Sequence, residues 1–90
     1  MSYSVKVIVY LADEPKLLGQ IQKAVKVPGV QVKELTLRTA DPGSKEVYLD
    51  LLLEASNTSG ILLRRIEGIR GAAVMAATEP KEIPPSKKAN

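Results

Sequence analysis

Apolar residues recur at every second position near the start of the chain. Tyr3, Val5, Val7, Val9 and Leu11 share one phase; Ser4, Lys6, Ile8 and Tyr10 share the other. Alternation at period two predicts a strand with one fully apolar face. The period then changes, because Leu17, Leu18, Ile21, Ala24 and Val25 follow at helical spacing. Asp13 is placed to cap that element, and Glu14 and Pro15 suit its first turn. An amphipathic helix of about three turns is predicted, ending before Pro28-Gly29.

Residues 30–39 read as a second strand with an internal conflict of phase. Val30 and Val32 alternate together, but Leu35 and Leu37 have the opposite parity, so a bulge near Lys33-Glu34 is needed to hold all four on one face. Asp41-Pro42-Gly43-Ser44 is a turn, and residues 46–54 resume as a strand with Val47, Leu49, Leu51 and Leu53 inward, which completes a hairpin. Ser56, Asn57, Thr58 and Ser59 are cap formers ahead of a second helix with Leu62, Leu63, Ile66 and Ile69 on one stripe. Residues 72–78 read as a last strand, although their alanines are poor strand formers.

The order β-α-β-β-α-β, with right-handed crossovers, predicts an α+β ferredoxin-like sandwich: a four-stranded antiparallel sheet with two helices on one face. Ninety residues accommodate one core. The domain is expected over residues 1–79. Residues 80–90, which hold three prolines together with Lys81, Lys87 and Lys88, have the composition of a flexible tail or linker. One sheet face is left without a helix, and Ile8, Tyr10, Tyr48 and Leu52 are expected to point there, towards a partner.

Composition narrows the chemistry. Hydrophobic residues make up 44% of the chain, with three tyrosines and no Phe or Trp, so the core must be aliphatic. Cysteine and histidine are absent, which removes disulfides, thiolate zinc sites, cysteine nucleophiles and the imidazole base. Asp41, Glu46, Asp50 and Glu54 show no spacing that sets up an acid and a base, and there is no glycine-rich phosphate loop. The expectation is a protein that is not an enzyme and uses no cofactor or metal. The run from Val5 to Leu11 is broken by Lys6 and is neither a signal sequence nor a membrane span, which points to a cytoplasmic protein. The net charge of +3 owes much to the tail lysines, so charge alone gives no argument for nucleic acid.

Three segments carry a family resemblance. Asp13-Glu14-Pro15-Lys16-Leu17-Leu18-Gly19-Gln20-Ile21, between the first strand and helix, resembles the hallmark of ACT domains: Asp or Asn, Pro-Gly, two leucines and a later apolar residue. Pro28-Gly29-Val30-Gln31-Val32 is similar to the family's entry into its second strand, and Leu63-Arg64-Arg65-Ile66-Glu67-Gly68-Ile69 to its closing pattern. The resemblance implies a regulatory domain that homodimerises and binds a small effector such as an amino acid, attached to or associated with a metabolic enzyme. It also implies where the effector sits. Where the first loop of one copy meets the equivalent region of another, Leu11, Asp13, Pro15, Lys16, Leu17 and Leu18 form the loop side, with Gln31 and Val32 opposite. Exposed N–H groups at a helix start would receive its carboxylate, and Lys16 would neutralise an anion.

Lys16 stands where the family has a glycine that lets backbone approach the ligand, and Gln31 stands for an Asn. These departures motivate an alternative, a structural dimerisation module whose effector pocket has been lost. A further alternative is a single-stranded RNA-binding domain using Tyr10 and Tyr48 as stacking platforms, although Glu46 and Asp50 flank Tyr48. An acylphosphatase-like enzyme on the same plan would need an arginine in the first loop, which has none.

Overall fold

The computed structural model describes residues 2–84. Seven elements follow one another: β1 (Ser2–Ala12), α1 (Pro15–Ala24), β2 (Val30–Asp41), β3 (Ser44–Leu53), α2 (Thr58–Glu67), β4 (Ala72–Ala77) and β5 (Lys81–Ile83). The strands form one antiparallel sheet in the order β2-β3-β1-β4, and β5 joins β1 beyond the end of β4. The ferredoxin-like plan is present, with a fifth short strand added.

That strand falls where the sequence pattern suggests only a tail. Lys81, Glu82 and Ile83 lie beside Ser4, Tyr3 and Ser2, so the chain after β4 skips Pro80, which cannot donate to a ladder, and continues along the same edge of β1. Backbone pairing does not need apolar side chains, and composition gives no warning of it. Lys87 and Lys88 lie outside the described residues.

The core is what the alternation dictates. Val5, Val7, Val9 and Leu11 from β1 and Val47, Leu49, Leu51 and Leu53 from β3 are buried against Leu17, Ile21, Ala24 and Val25 of the first helical segment and Leu62 and Ile66 of α2. At about 0.8 kcal/mol per buried methylene this aliphatic layer is the main stabilising element. Of two bulges in β2, at Lys33 and at Ala40, the first is where the phase conflict requires it. Val32 pairs with Leu51 and Glu34 with Asp50, leaving Lys33 as the extra residue, and Val30, Val32, Leu35 and Leu37 all oppose core residues of β3.

Other boundaries shift. The β2–β3 turn closes more tightly than expected, with Asp41 paired to Ser44 around Pro42-Gly43, and Gly43 takes φ +87°, the conformation that a turn with Pro at its second position asks of its third. Asp13 does not cap α1. Glu14 holds the cap position without a side-chain hydrogen bond, and Asp13 instead reaches Lys45 at 3.8 Å. Residues 72–77 are a strand in spite of their alanines, because Ala72 and Val74 fill the helix side of the edge; Met75 is the extra residue of a bulge in the pairing of β4 with β1 and is exposed.

Candidate functional site

Three loops meet at one end of the sheet. The Ala12 N–H donates to the Gly71 carbonyl at 2.9 Å, and the Asp13 N–H to the Gly43 carbonyl at 3.0 Å. The Glu14 N–H turns back to the Ala12 carbonyl at 2.8 Å, and the Leu17 N–H to the Glu14 carbonyl at 3.0 Å. Pro15 has no N–H to offer. From residue 13 to residue 17, the Lys16 amide is therefore the one N–H without an acceptor among the described residues.

The structure splits the site residues read from the sequence into three groups. Leu11 and Leu17 are 2% exposed and belong to the core, so only their backbone faces the loop, and Leu18 is half-buried. Asp13, Pro15 and Lys16 are exposed. Gln31 and Val32 are also exposed, but at the far end of the sheet. Gln31 lies level with Leu52 and Leu11 with Lys45, a separation of seven positions along β3, or about 24 Å at ~3.4 Å per residue. Within one chain the two halves of the expected site do not meet.

A second concavity lies on the sheet face that no helix covers. It is a trough of about 570 Å³ whose floor includes Ile8, Thr36, Tyr48 and Ala76, with Lys6, Glu34, Arg38 and Asp50 along it. The Tyr48 hydroxyl donates to Glu46 Oε1 at 2.8 Å, and the Arg38 guanidinium sits 5.5 Å from the ring centroid. The hydrogen bond to Glu46 is the main reason that the Tyr48 phenol is raised above its ordinary pKa, with desolvation and the Glu46 charge adding to it and Arg38 opposing. Sequence reading found Tyr48 and its acidic neighbours but not Arg38 beside it, because that contact comes from the β2–β3 register: Arg38 is level with Glu46, two residues from Tyr48 on the same face.

The trough is a poor platform for bases. Arg38 already occupies a face of Tyr48, and Glu34, Glu46 and Asp50 on this side of the sheet outnumber Lys6 and Arg38, opposing a phosphate backbone. Among the described residues no three His, Cys, Asp or Glu side chains cluster in a way that could hold a metal, and no helix is long and apolar enough to cross a membrane.

No protein-family model matches the sequence, and no curated protein sequence does. Solved structures do match the fold. The crystal structure of the ACT domain from the GTP pyrophosphokinase of Chlorobium tepidum superposes with a TM-score of 0.69 at 13% identity, over 87% of this chain and 97% of that one. Its solution NMR structure gives a TM-score of 0.58 at the same identity, over 87% and 83%. An uncharacterized protein from Thermotoga maritima gives 0.69 at 14% identity, over 91% and 100%. The resemblance read from three short sequence segments thus holds at the level of the fold, which is that of solved ACT domains.

Proposed function

We propose that this chain is a non-catalytic regulatory domain that pairs with a second copy of itself and receives a small effector, an amino acid in the first instance, at the junction of the two. The observation that carries this reading is the outer edge of β2. Twelve residues long, it has β3 on one side and, among the described residues, no strand on the other, and it leaves Val32 and Leu37 40% and 41% exposed on the helix side of the sheet. A long unpaired edge with apolar residues is a template for another strand.

Antiparallel pairing of two such edges about a two-fold axis sets the Gln31 end of one copy beside the Asp13 end of the other. That arrangement supplies both halves of a site that one chain keeps about 24 Å apart. An effector bound there stabilises the pair by its differential affinity and so shifts the activity of an attached or associated enzyme. The ACT fold of the Chlorobium protein is itself a domain of a GTP pyrophosphokinase.

One observation favours a second reading, a pairing module without an effector. The amides of Asp13, Glu14 and Leu17 are already bonded within the chain, which leaves little to receive a carboxylate. The two readings separate in one experiment. Sedimentation of the wild type and of Val32→Glu/Leu37→Glu measures pairing, and thermal melts against a panel of amino acids measure binding, since a ligand of the native state raises the midpoint by mass action. A dimer lost in the double variant together with a midpoint rise supports the effector reading; a dimer that ignores the panel supports the pairing module; a wild-type monomer overturns both.

A further inference from the structure

The net charge of the chain hides a separation. α1 with its cap residue Glu14, α2, and the residues just after each helix carry Lys16, Lys23, Lys26, Arg64, Arg65 and Arg70, all exposed, against only Glu14 and Glu67. The helix layer therefore holds a formal +4, and the remaining described residues, five cations against eight acids, hold −3. Among the described residues none of the six cations has a carboxylate within ion-pair distance, the one pair being Lys45 with Asp13.

The two helices also interleave these charges. Arg65 Nε donates to the Ala24 carbonyl at 2.8 Å and its Nη2 lies 3.5 Å from the Lys23 carbonyl, which sets the Arg65 guanidinium against the last turn of α1, the turn that carries Lys23. At the other end Gly71 packs so closely on Leu17 that a Cβ there would lie 2.9 Å from Leu17 Cδ1, so the chain that carries Arg70 runs against the first turn of α1, which carries Lys16. Ten-residue helices make a belt about 15 Å long, enough to face roughly four phosphates of one strand at a rise of ~3.4 Å each.

We infer that the helix layer binds the phosphate backbone of a nucleic-acid duplex, without reading its sequence. A duplex fits better than a single strand because no aromatic side chain lies on either helix; Tyr3, Tyr10 and Tyr48 are all on strands. It fits better than an anionic membrane because Ile61 is the one large apolar side chain markedly exposed on the helices, and interfacial helices need an apolar face to insert. The layer is complete in one copy. Pairing through β2 would keep two such layers on the same side of a continuous sheet and double the surface.

The test is fluorescence anisotropy of a labelled mixed-sequence DNA duplex titrated with the full chain over a range of salt. Engagement of about three phosphates weakens binding roughly 40-fold between about 50 and 200 mM salt. Lys16→Glu/Lys23→Glu/Arg64→Glu is expected to lose at least about tenfold in affinity at low salt, while Lys6→Glu/Lys81→Glu and Lys87→Ala/Lys88→Ala bind as wild type. A thermal melt of each variant confirms folding. No binding at low salt, a loss that follows Lys6, Lys81 or the tail lysines instead, or preference for phosphatidylserine vesicles over the duplex overturns the inference.

Discussion

Arg65 on α2 closes the C-terminal end of α1. Its Nε donates to the carbonyl of Ala24, the last residue of that helix, at 2.8 Å. The last carbonyls of a helix have no partner within it and carry the negative end of its dipole, so a guanidinium there meets both needs. Arg65→Ala is therefore expected to lower stability by about 1 kcal/mol, the net contribution of an ordinary hydrogen bond, because solvent around the exposed guanidinium screens the added effect of its charge. Arg64→Ala, whose side chain is exposed and makes no such bond, is expected to fall within about 0.5 kcal/mol of wild type. Urea midpoints of the two variants check the contrast, and equal losses would show that the interhelical bond contributes nothing particular.

Gly71 is constrained twice, and the two constraints can be measured apart. It adopts φ +95°, and an added Cβ would stand 2.9 Å from Leu17 Cδ1 and 3.7 Å from the Ala12 Cβ. Gly43 shares the positive φ, at +87°, but a Cβ there meets nothing within 4 Å. Gly43→Ala should cost only the backbone term, about 1 kcal/mol. Gly71→Ala adds overpacking of roughly 1–3 kcal/mol. In a Leu17→Ala background the clashing methyl is gone, so Gly71→Ala should cost there no more than Gly43→Ala does. Full additivity in that double-mutant cycle would refute the packing term.

Legibility in the sequence followed the range of the interaction. The core strands and both helices could be read because period two and period 3.6 are local, and the β2 bulge at Lys33 could be read because two valines and two leucines of opposite parity left no other way to face one core. Arg65 illustrates what could not. As one of three arginines near the end of a helix it reads as a solvated charge, and only the packing of α2 against α1 turns it towards Ala24. The same holds for β5, which is held by backbone pairing to Ser2, Tyr3 and Ser4, and for Arg38 over Tyr48, a contact created by register. The candidate site was read through a motif, which named the loop residues but not that their amides are already bonded.

The bulge itself makes an unusual prediction about deletions. Lys33 is the extra residue between the Val32–Leu51 and Glu34–Asp50 pairs, so its removal leaves Val30, Val32, Leu35 and Leu37 on the core side in unbroken alternation. Deleting Lys33 should therefore change stability by no more than about 1 kcal/mol. Deleting Thr36, level with Tyr48, forces every β2 residue on one side of it onto the opposite face, which exposes either Leu35 or Leu37 or unpairs that half of the strand. A large drop in melting midpoint is expected for the second deletion alone. Comparable losses in both would mean that the bulge is needed by the fold rather than merely tolerated.

The Tyr48 phenol supplies a pH-dependent reporter of the open sheet face. Its proton is held mainly by the hydrogen bond to Glu46, which raises the pKa from the ordinary 10.0. A group whose folded-state pKa lies above its unfolded value favours the folded state fully below the unfolded pKa, and that contribution disappears as pH rises through the folded pKa. The window therefore lies above pH 10, in the alkaline limb of the stability curve, and neutral pH is unaffected. Following tyrosinate absorbance with pH should show one tyrosine ionising later than a free tyrosine does. Glu46→Gln removes the carboxylate acceptor and its charge but leaves Arg38, which lowers the pKa, so the late ionisation should shift to lower pH in that variant. A titration unchanged by Glu46→Gln would mean that Tyr48 is not held by Glu46 in solution, and with it would go the ordered Arg38–Tyr48–Glu46 arrangement on the open sheet face.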